Sequence, residues 1–270
     1  MKSGIASGFI AGLVAGIVGI FSALIIFKIG FAYWYIPQPP ITPITKIAAT
    51  EIAINIVWGI IYALIYSKFY DAIPGKGVSK GLVYGLIIYL ILSIRTGVIV
   101  MVHGYTLGGI GAFFRFSPII YGLMLGILFE KTSRPISKYD VKSGIHPGAI
   151  AGLFGGIGAF LAIVIGATLG FWEPYPAPPI IEVAALMAQD MGWGAIFGIL
   201  YVMFYDRIPG KRIMKGLYFS LLIFLMVNIR DTVQFLAYGQ PEAAGQWFFA
   251  ILHFIIYGPI LGLLYRKPMK

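Results

Sequence analysis

Residues 3–16 read SGIASGFIAGLVAG, and residues 143–156 read SGIHPGAIAGLFGG. Each stretch is apolar and places a glycine at every fourth position, so one face of the predicted helix is reduced to backbone. Such faces are typical of close helix contacts in membranes, where lipid provides no hydrophobic drive for association. A glycine face can also line a narrow pore or a lipid groove, but packing is the better supported interpretation. The predicted packing glycines are Gly4, Gly8, Gly12, Gly16, Gly144, Gly148, Gly152 and Gly156.

Two further segments repeat along the chain. YDAIPGKGVSKGL at 70–82 returns as YDRIPGKRIMKGL at 205–217, and IIYGLMLGILFEK at 119–131 returns as IIYGPILGLLYRK at 255–267. The three repeats have offsets of 140, 135 and 136 residues. This near-constant spacing indicates an internal duplication. It predicts two four-helix membrane repeats, at 1–138 and 139–270.

The composition is that of a membrane protein. Hydrophobic residues make up 59% of the 270 residues, charged residues only 11%, and the mean hydropathy is +0.90. Apolar stretches of about 20 residues separated by short polar loops predict a polytopic protein whose main partner is the lipid bilayer. The net charge of +10 lies in short loops, which favours a topology signal over nucleic-acid binding. Because the chain has no cysteine, disulfides, thiolate metal sites and cysteine nucleophiles are excluded.

The apolar pattern predicts an all-α integral membrane protein with eight transmembrane helices. Each predicted helix is long enough to cross a hydrocarbon core of about 30 Å. The first helix resembles a signal peptide, but its copy later in the chain and the lack of an obvious cleavage site favour a retained helix. The predicted helices are 4–30, 45–68, 79–102 and 109–130 in the first repeat, and 144–170, 181–204, 214–237 and 246–265 in the second.

The loops predict the orientation. Most of the 20 basic residues lie in the termini and in alternate loops, which by the positive-inside rule face the cytoplasm. The chain is therefore expected to be a multi-pass protein of the plasma membrane with both termini in the cytoplasm. Because each repeat has an even number of helices, the repeats are predicted to be parallel, related by a pseudo-twofold axis along the membrane normal.

Two arginines interrupt apolar runs at matching places. SIRTGV at 93–98 contains Arg95, and NIRDTV at 228–233 contains Arg230. Each arginine follows a lysine, Lys80 or Lys215, by 15 residues, and so lies about 22 Å from the cytoplasmic boundary. A charge at this depth costs about 2.5–3.5 kcal/mol near the membrane centre and less toward the interface, where an arginine can also snorkel outward.

Acidic and amide side chains on neighbouring predicted helices favour a buried polar site. Glu51 reaches about the depth of Arg95, with Asn55 one turn further in, and Asp190 occupies the position equivalent to Asn55. Asp231 adjoins Arg230 but projects about 100° away around the helix, so another partner is expected for it. The predicted substrate-binding or gating site comprises Glu51, Asn55, Arg95, Asp190, Arg230 and Asp231. A structural role, with Glu51–Arg95 and Asp190–Arg230 pairs tying helices together, has equal weight.

The repeated IPGK segments at 73–76 and 208–211 do not match a phosphate-binding loop, since the further glycine and the serine or threonine of that motif are missing. Proline followed by glycine is typical of a tight turn. We expect charged cytoplasmic hairpins in which Asp71 and Asp206 balance neighbouring lysines. A gate or a docking site for a partner is the alternative.

The sequence lacks the motifs of a zinc-dependent enzyme. HExxH and clustered metal ligands do not occur. His103 and His146 lie near predicted helix ends, and only His253 lies deep enough to ligate a haem. A lone histidine on an apolar helix is more often structural, so no cofactor and no metal are predicted.

Three functional classes fit these patterns. A transporter or channel for a small anionic substrate fits the duplication and the intramembrane charges. A non-catalytic subunit of a larger energy-transducing membrane complex fits the short loops and glycine faces, and would have other membrane subunits or a second copy as partners. An intramembrane lipid-acting enzyme would need a catalytic cluster that the sequence does not show. The transporter is the favoured prediction.

Overall fold

A computed structural model describes residues 4–28, 44–95, 98, 116–129, 140–170, 180–237, 244–245, 248 and 250–267. Within these ranges the chain is almost entirely helical, and no β-strand occurs among them. The all-helical prediction is therefore confirmed for the described part of the chain. His103 lies outside the described residues, as does the start of the predicted fourth helix.

Eight helices lie close to the predicted positions. The third and the seventh of them pass through a π-helical turn, after which the seventh resumes as an α-helix over Arg230–Ala237. The helices are α1 (Gly4–Lys28), α2 (Ile44–Phe69), α3 (Gly77–Tyr89, with the π turn Leu90–Ile94), α4 (Ser117–Leu128), α5 (Ile145–Thr168), α6 (Ile180–Phe204), α7 (Arg212–Phe224, with the π turn Leu225–Ile229 and its continuation) and α8 (Ile251–Leu264).

Six of these helices are long and apolar enough to cross a membrane, as expected for a multi-pass membrane protein. The described parts of α4 and α8 have only 12 and 14 residues. At about 1.5 Å per residue they extend about 18–21 Å, less than a hydrocarbon core of about 30 Å. The six spans are Gly4–Ser22, Ala49–Ala72, Gly77–Ile94, Lys142–Thr168, Val183–Arg207 and Arg212–Ala237.

The chain forms two compact units. Unit 1 comprises Met1–Ile136 with Ala237–Gly239, and unit 2 comprises Ser137–Leu236 with Gln240–Lys270. In unit 1, α1 packs on α2 and α4, and α3 packs on α4. In unit 2, α5 packs on α6 and α8, and α7 packs on α8.

Glycines lie at the closest helix contacts in both units. The stripe of α1 faces α2, where a Cβ added at Gly8 would lie 2.7 Å from the carbonyl oxygen of Gly59. The stripe of α5 faces α6 in the same way, and a Cβ added at Gly148 would lie 2.8 Å from the Cα of Gly198. Since contacts below 3.0 Å force the neighbour to move, these positions require glycine for the observed packing.

Buried tyrosines join three helices within each unit. In unit 1 the Tyr121 hydroxyl of α4 donates a 2.6 Å hydrogen bond to the carbonyl oxygen of Gly59 on α2. In unit 2 the Tyr257 hydroxyl of α8 donates a 3.0 Å hydrogen bond to the carbonyl oxygen of Gly194 on α6. In the repeated sequence Tyr121 is equivalent to Tyr257, and Gly59 is equivalent to Gly194. The small glycines leave these carbonyls open to a side chain from a third helix.

Candidate functional site

Both arginines that the sequence singles out follow a π turn. In α3 the turn Leu90–Ile94 ends directly before Arg95, and in α7 the turn Leu225–Ile229 ends directly before Arg230. The backbone N–H of Arg95 bonds to the carbonyl oxygen of Leu90, five residues earlier. A π turn widens the helix and breaks the regular hydrogen-bond pattern, and such turns occur frequently at functional sites. Their presence in both units at the same residue makes a chance irregularity a poor explanation.

Each π turn also contains a buried polar side chain. Ser93 is 2% exposed in the first turn and Asn228 is 1% exposed in the second. They are equivalent residues, since both lie two positions before the arginine. Burying a polar group in an apolar helix is costly unless it is hydrogen-bonded. Each unit therefore brings together a widened turn, a buried polar side chain and an arginine.

Arg230 binds Asp231, its neighbour in sequence. The guanidinium Nη1 lies 3.2 Å from Asp231 Oδ1, and the two side chains are only 13% and 17% exposed. Asp231, for which the sequence predicted another partner, thus contacts Arg230. Although the two Cα–Cβ bonds diverge by about 100° on the helix, the arginine side chain is long enough to turn back to the adjacent carboxylate.

In unit 1, Glu51 and Asn55 lie one turn apart on α2 and contact each other. Asn55 Nδ2 donates hydrogen bonds to the Glu51 backbone oxygen at 2.8 Å and to Glu51 Oε2 at 3.4 Å. Arg95, in the same unit, is partly exposed. The Glu51–Arg95 pair stays a prediction.

In unit 2, Asp190 lies against the glycine face of α5. A Cβ added at Gly156 would lie 2.5 Å from Asp190 Oδ2, so the carboxylate rests on the backbone of the neighbouring helix. The Asp190–Arg230 pair stays a prediction. The six predicted site residues are thus divided equally between the units, with Glu51, Asn55 and Arg95 in unit 1 and Asp190, Arg230 and Asp231 in unit 2.

A lysine closes the hairpin between the second and third helices of each unit. Lys80 is completely buried, and its Nζ lies 2.7 Å from the carbonyl oxygen of Tyr70 and 4.1 Å from the centre of the Tyr70 ring. Lys215 repeats both contacts with Tyr205, at 2.6 Å and 4.1 Å. The sequence places these lysines in a charged hairpin but does not reveal that they fold back to bind the end of the preceding helix.

We expect Lys80→Met to lower the free energy of unfolding by about 1–3 kcal/mol, because the buried Tyr70 carbonyl loses a charged donor. Unfolding of the solubilised protein by denaturant measures this change. Lys68→Met is the matched control, because Lys68 is an exposed lysine near the end of α2. Its effect is expected to stay within about 0.5 kcal/mol. Equal stability of the two variants would show that the Lys80 contacts contribute nothing.

The acidic residue of the second hairpin also has a partner outside that hairpin. Asp206 lies close enough to Lys215 for their charges to interact, and its Oδ1 accepts a 2.6 Å hydrogen bond from Lys267, which follows α8. This hydrogen bond raises the pKa of Lys267 above its ordinary value. Because both side chains are largely exposed, the pair connects the hairpin to the chain end with little effect on stability.

No group of three or more potential metal ligands occurs among the described residues. Comparisons with protein-family models, with curated proteins and with solved structures each returned no match.

Proposed function

We propose that this protein is a non-catalytic membrane transporter that moves a small anionic solute, and that Arg95 and Arg230 bind the anion. The observation that carries this proposal is the π turn before each arginine, with a buried polar side chain inside it. A guanidinium presents several donors in a planar fork suited to carboxylate, phosphate and similar oxyanions. Ionisable groups within membrane helices are functional by default, because their insertion costs free energy.

The repeated contacts favour a duplicated architecture. We propose two parallel four-helix repeats related by a pseudo-twofold axis along the membrane normal, with eight membrane spans in all. Such a duplication would produce the hydrogen bonds from tyrosine to a glycine carbonyl and from lysine to a tyrosine carbonyl that recur in both units. The basic loops support a location in the plasma membrane with both termini in the cytoplasm.

The pairing of Arg230 bears on how this residue would bind the anion. Arg230 is paired with Asp231 at rest, so an incoming anion has to compete with that carboxylate. Arg230 is therefore proposed to bind the anion when Asp231 is displaced.

The double substitution Arg95→Gln with Arg230→Gln is expected to abolish anion uptake while the protein stays folded. Glutamine keeps a polar side chain of similar length but removes the positive charge that binds the anion. Uptake of labelled anions into liposomes measures the effect, and elution as a single species in size exclusion reports folding.

The matched control is Arg266→Gln, which removes an exposed arginine beyond the last helix and is expected to leave uptake unchanged. Normal uptake by the folded double variant would show that the arginines do not bind the anion. If the wild-type chain instead purifies only in a fixed ratio with other subunits and moves no anion, it is a structural subunit and the transporter proposal is wrong.

A further inference from the structure

A carboxylate and an imidazole meet the same turn of α5 in unit 2. A Cβ added at Gly155 would lie 3.0 Å from both Cε1 and Nε2 of His253 on α8, and one added at Gly156 would lie 2.5 Å from Oδ2 of Asp190 on α6. Consecutive Cα atoms are about 3.8 Å apart. The two side chains therefore contact α5 at neighbouring residues, His253 from α8 and Asp190 from α6.

The helix directions place the two groups at the same level. As α5 is followed toward its C-terminal end, its glycines contact residues progressively nearer the N-terminal ends of α6 and α8. The helix α5 is therefore antiparallel to both, and α6 and α8 run in the same direction. These two helices are joined by the hydrogen bond from Tyr257 to Gly194. His253 precedes Tyr257 by four residues and Asp190 precedes Gly194 by four. Both groups thus lie one turn, about 6 Å, beyond that hydrogen bond.

Unit 1 has the same arrangement with neutral side chains. The sequence repeat makes Asn55 equivalent to Asp190 and Ser117 equivalent to His253. A Cβ added at Gly16 would lie 3.3 Å from Asn55 Cβ, and one at Gly19 would lie 3.7 Å from Ser117 Oγ. Of these two equivalent pairs of residues, the one in unit 2 is titratable and the one in unit 1 is not.

The surroundings favour a shared proton. His253 is only 8% exposed and Asp190 is partly exposed. Among the described side chains, the ionisable ones of the helices packed nearby are Tyr257 on α8 itself and, on α7, the Arg230–Asp231 pair, which follows the Phe224–Phe254 contact by about two turns. The α5 residues that meet the two groups are Gly155 and Gly156. A carboxylate and an imidazole that share one proton are neutral as a pair, which lowers the cost of burying them.

We propose that Asp190 and His253 form a proton-binding pair that couples anion movement to the movement of one proton. The proton enters from the water, is held between the carboxylate and the imidazole, and is returned to water on the other side together with the anion. The coupling rests on the proposed transport function, whereas the proton-binding pair does not. A proton that accompanies a monovalent anion leaves no net charge to move against the membrane potential.

The pair is tested by infrared difference spectra between acidic and neutral pH, recorded on the full chain in lipid. We expect the spectra to contain a carboxyl signal of Asp190 and an imidazole signal of His253 that appear over the same pH range. Asp190→Asn removes the carboxyl signal and moves the imidazole signal to another pH, and His253→Ser moves the carboxyl signal. Both substitutions introduce side chains that unit 1 carries at equivalent positions, so both variants are expected to fold.

The matched controls are Asp206→Asn and His146→Ser, which change an exposed aspartate and a histidine at the start of α5. They are expected to leave both signals unchanged. A carboxyl signal that is unaffected by His253→Ser would overturn the pair, and this result is read without any transport measurement.

Coupling is tested by imposing a pH gradient across the liposome membrane. His253→Ser is expected to reduce gradient-driven anion uptake about tenfold, within the usual range of coupling between two sites, while anion exchange without a gradient continues. Equal gradient-driven uptake by wild type and variant would overturn the coupling. If the wild-type chain moves no anion at all, the proposed function fails instead, whatever the infrared spectra show.

Discussion

Gly194→Leu is expected to prevent unit 2 from folding. A Cβ at this position would already lie 2.6 Å from the Cα of Gly152 on α5, and the rest of the leucine side chain has no space between the two backbones. Separating α5 from α6 would also break the hydrogen bond that Tyr257 donates to the Gly194 carbonyl. We expect the variant to be recovered only as aggregate, which size exclusion after mild solubilisation measures.

The smaller change Gly194→Ala makes the same test quantitative. It is expected to lower the free energy of unfolding by about 1–3 kcal/mol, the usual cost of overpacking. Gly192 provides the control on the same helix, because a Cβ added there meets nothing within 4 Å. Gly192→Ala is expected to be neutral or to stabilise the helix by up to about 1 kcal/mol, and Gly192→Leu to fold. If Gly194→Leu folds as well as Gly192→Leu, the close contact of α5 and α6 is wrong.

Deleting one residue from each π turn, Leu90 and Leu225, is expected to abolish anion uptake without unfolding the protein. A π turn is an α-helix with one extra residue, so a deletion restores regular hydrogen bonding while the helix on either side keeps its orientation. Arg95 and Arg230 then move relative to Ser93 and Asn228. Misplacing a binding group by about 1 Å reduces rates about a hundredfold, and we expect a loss of at least that size in liposome uptake.

The matched control replaces the same residues without shortening the chain. Leu90→Ala with Leu225→Ala keeps five residues in each turn and is expected to keep most of the uptake. Normal uptake by a folded deletion variant would show that the π turns have no role in transport, even if the arginines do.

Helix positions and the helix faces that pack closely could largely be predicted from the sequence, because both depend on the local pattern of residues, whereas the helix that each glycine face contacts could not. Apolar runs of about 20 residues place the helices, and glycines four residues apart lie on one face whatever the neighbouring helix is. The described ends differ from the predicted ones by one or two residues, since α2 ends at Phe69 and α7 begins at Arg212.

The details of the candidate site could not be predicted, because they depend on how the chain packs. A π turn differs from an α turn by a shifted hydrogen bond, and LILSI at 90–94 is compatible with both. The signal that was available is the repeat itself, since SIR and NIR place a polar residue and an arginine identically in two apolar runs. The partner of Asp231 depends on a side-chain rotamer, and the level shared by His253 and Asp190 depends on three packed helices.

The most direct test of the central claim is the flux of small anions into liposomes that contain this chain alone. Carboxylates, phosphate and inorganic monovalent anions form the panel, and protein-free liposomes of the same composition provide the baseline. We predict saturable uptake of at least one of these anions above that baseline. Uptake equal to the baseline for every anion would contradict the account.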